Sequence, residues 1–184
     1  MKKALLVLSE GFEEIEATTT IDILRRACVS VTTVSLTGEY FITGARGVSI
    51  ETDELFENLQ DDFDMLILPG GPGTKNYFEH KALLDLITKY NENGKYLAAI
   101  CAAPTVFGKL GLLKGKKAVC FPGCENELIG AVLSTNAVEV DGTVITSKAA
   151  GTAVDFALKL AEILLGEEVS KKVKSQIYYE PMLS

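Results

Sequence analysis

Cys101 is the residue whose type and setting most invite chemistry. It lies in the stretch YLAAICAAPTVFG, Tyr96 to Gly108, where a strand-like run meets a helix-like one. Ala99 stands two residues before it and Ala103 two after, the small-x-nucleophile-x-small spacing of a strand-to-helix elbow, in which larger side chains would collide. At such a position the thiol faces the unpaired N–H groups of the following helix, which favour thiolate over thiol. Pro104 suits the first turn of that helix. The ordinary reading has equal weight on spacing alone, because free cysteine is among the most buried residue types and packs as a small hydrophobe.

Two further segments could act with Cys101. In GFEEIEATTTIDILRRA, helical phase puts Glu16 on the face of Ile23 and Ala27, toward the apolar side. The same phase aligns Glu14 with Thr18, Asp22 and Arg25, facing water. A carboxyl group held as Glu16 is would tend to stay protonated and could donate to a neighbouring anion. On phase alone, an acid placed in the first turn by the helix dipole is the simpler account. The second segment is LPGGPGTKN, where the amides of Gly70 and Gly71 can approach a reacting atom closely and complete an oxyanion site opposite Cys101. It fits neither a phosphate-binding G-x-x-x-x-G-K-[ST] loop nor G-x-G-x-x-G, since Asn76 stands where the last glycine would be. By itself it reads as a tight turn.

The remaining candidates argue by exclusion. His80 is the only histidine and begins a helix after the glycine loop, so a Cys-His-Asp or Cys-His-Glu triad is not expected. Cys120 and Cys124 are four apart and lack the C-x-x-C pairing of a zinc site; they read as structural, and no metal or cofactor is expected.

These residues need a scaffold, and the hydrophobic pattern supplies one. Compact apolar runs at Ala4 to Leu8, Val31 to Leu36, Met65 to Pro69, Leu97 to Cys101 and Ala118 to Phe121 read as strands buried on both faces. Helical segments lie at Glu14 to Ala27, His80 to Asn93, Pro104 to Leu110 and Thr152 to Leu165. Alternation of this kind predicts a parallel sheet with helices on both faces, and ligands then gather at the carboxyl ends of the strands. Ser9 to Glu16, Pro69 to Gly73 and Cys101 to Pro104 all fall at such ends. Two shorter pairs interrupt the alternation: Tyr40 to Ile42 with Val48 to Ile50, and Ala137 to Val140 with Thr143 to Thr146. The second turns at Asp141-Gly142, which suits a type I′ hairpin. The polar and then aromatic tail after Gly166 reads as a helix followed by an ordered extension.

With 184 residues, the chain has the size of one domain, 1–184, able to bury a core without disulfides. Its net charge of -7 disfavours nucleic acid or an anionic membrane as partner and leaves small molecules or proteins. The apolar run Ala4 to Leu8 is too short for a secretion signal, and no run approaches the length of a membrane helix. Cysteines without a signal imply reduced thiols, and a cytoplasmic location is expected.

Taken in order, GFEEIEATTTIDILRRA, MLILPGGPG, AAICAAPTV, GLLKGKKAVCFPG and SKAAGTAVDFALKLAEILLG resemble the ThiJ/PfpI family, in its DJ-one branch, over nearly the whole chain. The resemblance implies a flavodoxin-like α/β sandwich, usually a homodimer, with the family's oxidisable cysteine at Cys101 and its partner glutamate at Glu16. It also implies amide donors at Gly71 and Ala102, and a dimer-interface arginine near the site at Arg46, in ITGARGVSI. The chain departs from the pattern where some members carry a histidine, having Phe121, and where S-R-G-P-G-T is usual, having SKAAGT from Ser147 to Thr152.

What the resemblance implies is a cofactor-free cysteine enzyme acting on reactive dicarbonyls such as methylglyoxal, or on their early adducts with proteins or nucleotides. A second reading is a redox sensor or protective chaperone in which Cys101 is oxidised to a sulfinate. A third is a noncatalytic α/β protein with a buried thiol.

Overall fold

The computed structural model of the chain describes residues 1–60 and 63–180. In chain order the elements are β1 (Lys3–Leu8), α1 (Glu14–Arg26), β2 (Ser30–Ser35), β3 (Phe41–Thr43), β4 (Ser49–Glu51), β5 (Glu54–Leu55) and β6 (Met65–Leu68). There follow α2 (Thr74–Glu79), α3 (Lys81–Glu92), β7 (Tyr96–Ile100), α4 (Pro104–Lys109), β8 (Lys117–Ala118) and β9 (Val132–Leu133). The chain closes with β10 (Val138–Asp141), β11 (Val144–Ser147), α5 (Ala153–Leu165) and α6 (Glu167–Gln176).

Seven strands form the central sheet in the order β10-β11-β7-β6-β1-β2-β5, and every neighbouring pair is parallel except the β10–β11 hairpin at one edge. Strand alternation splits the apolar side chains between two cores. Ala4, Leu6 and Leu8 of β1 face α1 and α5, whereas Leu5 and Val7 face α3 and α4. The result is a flavodoxin-like three-layer α/β sandwich. Because both faces are covered, β1, β6 and β7 read as continuous apolar runs.

Several expectations are corrected by the structure. The run Ala118 to Phe121 is not a strand of the main sheet: β8 ends at Ala118 and pairs with β9 in a separate ribbon. Beyond it, the Val119 amide donates to the Thr146 Oγ1 and the Phe121 amide to the Cys101 carbonyl, which draws the backbone off the ladder. The strand beside β7 is β11. The β10–β11 connection pairs Asp141 with Val144, so Gly142 and Thr143 are its central residues. Gly142 has φ 63° and Thr143 keeps a negative φ, the pattern of a type II′ turn rather than I′. The glycine loop runs into the short helix α2, which was not expected; the buried Tyr77 hydroxyl donates to the carbonyls of Val7 and Pro69 and pins that helix to two strand ends. In the tail, α6 is present, while residues 181–184 of the expected extension lie outside the described residues.

Candidate active site

The sheet order makes β1, β6 and β7 neighbours, so the loops after them meet at one carboxyl edge. Those loops carry Glu16, Gly70-Gly71 and Cys101. Sequence separation between the three segments is spanned by two crossovers, and no local pattern shows that they adjoin.

Cys101 has φ 64°, in the left-handed region that costs a non-glycine residue roughly 1–2 kcal/mol. Two backbone hydrogen bonds hold it there: its amide donates to the Ser147 carbonyl at 3.0 Å, and its carbonyl accepts from the Phe121 amide at 2.8 Å. The strain aims the side chain out of the strand toward the glycine loop, as a nucleophile elbow requires. The amides of Gly71 and Ala102 donate toward the sulfur. Gly70 instead holds the acid, its amide donating to Glu16 Oε2 at 2.8 Å. A Cβ on Gly70 would lie 2.6 Å from Cys101 Cβ and 3.0 Å from Glu16 Oε2, so the close approach of loop and thiol depends on the missing side chain.

Glu16 is fully buried on the first turn of α1. Its Oε1 makes no well-formed hydrogen bond, and the Cys101 thiol is the side chain to which its carboxyl couples. Burial pushes its pKa up to about 7 against the opposing pull of the Gly70 amide. Burial also pushes the Cys101 thiol up to about 12, the Glu16 charge adds to the rise, and the amides of Gly71 and Ala102 work the other way. Placement before a helix therefore does not leave a standing thiolate here, contrary to the expectation from the elbow. Desolvation outweighs the few N–H donors that a six-residue helix offers. The thiol therefore keeps its proton through neutrality, and Glu16, which ionises near 7, is the carboxyl coupled to it.

Other residues fall elsewhere. Glu14 does not face water: it is 8% exposed, and its Oε1 accepts from the Arg46 amide at 2.5 Å and the Val48 amide at 3.4 Å. Burial works against its charge, but these backbone donors outweigh it and hold the carboxyl below its ordinary range. Arg46 itself is exposed at the tip of the β3–β4 hairpin, with Nη1 donating to the Ala45 carbonyl. His80 caps α3, its Nδ1 accepting from the Leu83 amide, and its ring meets Phe56 edge-on at 4.7 Å. Among the described residues, no group of three or more His, Cys, Asp or Glu side chains converges to hold a metal ion. Ser147 and the Phe121 backbone, which fix the elbow, were not legible as site residues, since their role is carried by main-chain atoms that any residue type supplies.

With this geometry in place, residues 2–163 match the DJ-1/PfpI family. The chain belongs to the DJ-1/PfpI family. It is 39% identical over 176 residues to Drosophila melanogaster Protein dj-1beta, covering 94% of each chain. It is 33% identical over 171 residues to the Caenorhabditis elegans protein named Glutathione-independent glyoxalase DJR-1.2, covering 91% of each. Among solved structures, Toxoplasma gondii DJ-1 in an oxidized form superposes with a TM-score of 0.94 at 34% identity, over 98% of this chain and 100% of that one. Two matching Arabidopsis thaliana family members, DJ-1 homologs B and A, are longer, and the chain spans 42% and 47% of their lengths. No helix among the described residues is long and apolar enough to cross a membrane.

Proposed function

We propose that this DJ-1/PfpI family member is a cofactor-independent cysteine enzyme for reactive dicarbonyls such as methylglyoxal, or for their early adducts. The observation that carries the reading is the strained Cys101 elbow abutting a fully buried Glu16 with a pKa of about 7. A general base poised near neutrality is matched to proton transfer at working pH. A relative bearing the name of a glutathione-independent glyoxalase supports the substrate class.

In the proposed sequence, Cys101 sulfur adds to the aldehyde carbon while Glu16 accepts the thiol proton and passes it to the new alkoxide. The amides of Gly71 and Ala102 steady that oxygen as charge develops. Glu16 next removes the proton from the former aldehyde carbon, giving an enediol, and returns a proton to the adjacent carbon, leaving a 2-hydroxyacyl thioester on Cys101. Water cleaves the thioester to lactate and free thiol, so no electrons leave the substrate-enzyme pair.

Methylglyoxal consumption without glutathione tests the reading. Cys101→Ser is expected to abolish turnover, and Glu16→Gln to lower kcat by at least about 100-fold, the usual scale for a lost general base. Wild-type kcat/KM should rise with pH through about 7 as Glu16 of the free enzyme ionises. Equal rates for wild type and both variants would sink the proposal.

A second reading rests on the same thiol: a peroxide sensor in which Cys101 goes to sulfinate. Cys101 packs against one core while Cys120 and Cys124 belong to the other, so a sulfenate at Cys101 meets neither as a resolving thiol and is left to oxidise further. The oxidized form of the Toxoplasma gondii relative supports it. Peptide mass measurement after limited peroxide distinguishes it by a selective gain of two oxygens at Cys101.

A homodimer belongs to this reading too. Ile15 and Val48 are 54% and 51% exposed. The Glu14 carboxylate ties the start of α1 to the Val48 backbone, which brings the exposed side chains of Ile15 and Val48 to the same end of the molecule as Glu16.

A further inference from the structure

We propose that Cys120 and Cys124 form a second redox site, a reversible dithiol–disulfide pair separate from Cys101. Cys120 precedes, and Cys124 ends, the turn Phe121-Pro122-Gly123-Cys124, which is closed by the Cys124 amide donating to the Phe121 carbonyl at 3.0 Å, with Gly123 at φ 100°. Cys120 Sγ lies 3.5 Å from that same carbonyl oxygen. One atom is thus approached by the thiol of one cysteine and the amide of the other. Two contacts on one atom keep the Cys120 sulfur and the Cys124 backbone nitrogen within about 7 Å of each other, the scale on which a disulfide closes.

Side matters as much as distance. The Phe121 amide donates to the Cys101 carbonyl at 2.8 Å, so the backbones of Cys101 and Cys120 run close together. Their side chains nevertheless part: Cys101 packs against the core of α1 and α5, whereas Cys120 lies in the core of α3 and α4. Cys124 packs against that second core, and it is the thiol that shares a side with Cys120. A pocket of about 240 Å³, lined in part by Cys120, Pro122, Glu125, Ser134 and Lys148, gives a small oxidant a path to the buried sulfur.

The chemistry balances with a hydroperoxide or an azodicarboxamide as oxidant. Two S–H bonds break and one S–S bond forms, and two electrons and two protons pass to the oxidant. The peroxide O–O bond is cleaved to water and an alcohol, or the azo N=N bond is reduced to a hydrazine. Burial pushes Cys120 up to about 12, and the neighbouring Cys124, Glu125 and Glu127 add to the rise, so the pair reacts more slowly than an exposed thiol such as Cys28. Oxidation would stiffen the turn whose Phe121 amide grips the Cys101 carbonyl, and so would act on the elbow.

The experiment treats the dilute full-length protein with diamide, blocks free thiols under denaturing conditions and digests it with trypsin. No Lys or Arg lies between Ala118 and Lys148, so both cysteines stay on one fragment. That fragment is expected to lose two hydrogens and carry no block, and to regain two blockable thiols after dithiothreitol. The same two-hydrogen loss is expected in a Cys28→Ser/Cys101→Ser protein, which separates this site from the chemistry proposed for Cys101, and not when Cys124→Ser is added. Two blocked thiols on the fragment after an exposure that fully oxidises free dithiothreitol, or disulfides found only between chains, would overturn the proposal.

Discussion

At the scale of the residue, Glu16 determines how the site behaves with pH. Its pKa is raised to about 7 from an ordinary 4.5, so between those values the unfolded chain has lost a proton that the folded one keeps. The folded state therefore loses stability as pH rises through that window, by roughly 3 kcal/mol in all. Glutamine keeps an oxygen for the Gly70 amide and carries no charge. The Glu16→Gln protein should be more stable than wild type at pH 8, with the difference shrinking toward pH 5, in urea unfolding followed at both pH values. An unchanged difference across that range would mean that Glu16 does not titrate as a buried acid. Stability gained on removing the Glu16 charge is what a group held against its own solvation preference should show.

At the scale of the element, the end of α1 contains an avoidable strain. Cys28 follows the helix at φ 65°, and the Val29 amide donates to the Leu24 carbonyl at 3.0 Å, the arrangement in which glycine is usual. Relief of the left-handed cost exceeds the added freedom of glycine in the unfolded chain by a modest margin. Cys28→Gly should raise stability by roughly 0.5–1 kcal/mol, seen as a Tm increase of about 1–4 °C. Because the residue lies at the far end of α1 from Glu16, dicarbonyl turnover should stay unchanged. A fall in Tm would show that the exposed thiol makes contacts worth more than the strain.

At the scale of the molecule, the exposed apolar side chains of Ile15 and Val48 lie next to the carboxyl edge that holds the site. If a second copy covers them, wild-type protein should sediment at twice the chain mass, and Val48→Lys should shift it to the monomer, since a charge would be buried against its own symmetry mate. Loss of activity in parallel would tie the assembly to catalysis. A wild-type monomer at micromolar concentration would remove the dimer from the reading.

Much of this was written locally. Unbroken apolar runs at β1, β6 and β7 announced buried parallel strands, because a sheet covered on both faces needs no polar alternation. The alanines around Cys101 and the phase of Glu16 allowed an elbow and an inward acid without deciding them against a packed thiol and an ordinary first-turn acid. Glu14 was assigned to water wrongly, because helical phase describes a helix against one core and cannot foresee the β3–β4 hairpin folding over its other side. Ala118 to Phe121 misled for a related reason: the run has a strand's composition, but the Cys101 carbonyl and Thr146 hydroxyl that claim its amides belong to distant elements.

The sequence by itself determined the layers, the candidates at the strand ends and the lack of a histidine among them, since these depend on residue type and short spacing. Only the tertiary structure decided that β7, β6 and β1 are adjacent, that Gly70 holds Glu16 while Gly71 faces the sulfur, and that burial raises both the acid and the thiol. Those outcomes are set by strand order and by water excluded from the meeting of three loops, and neither quantity is a property of any one segment.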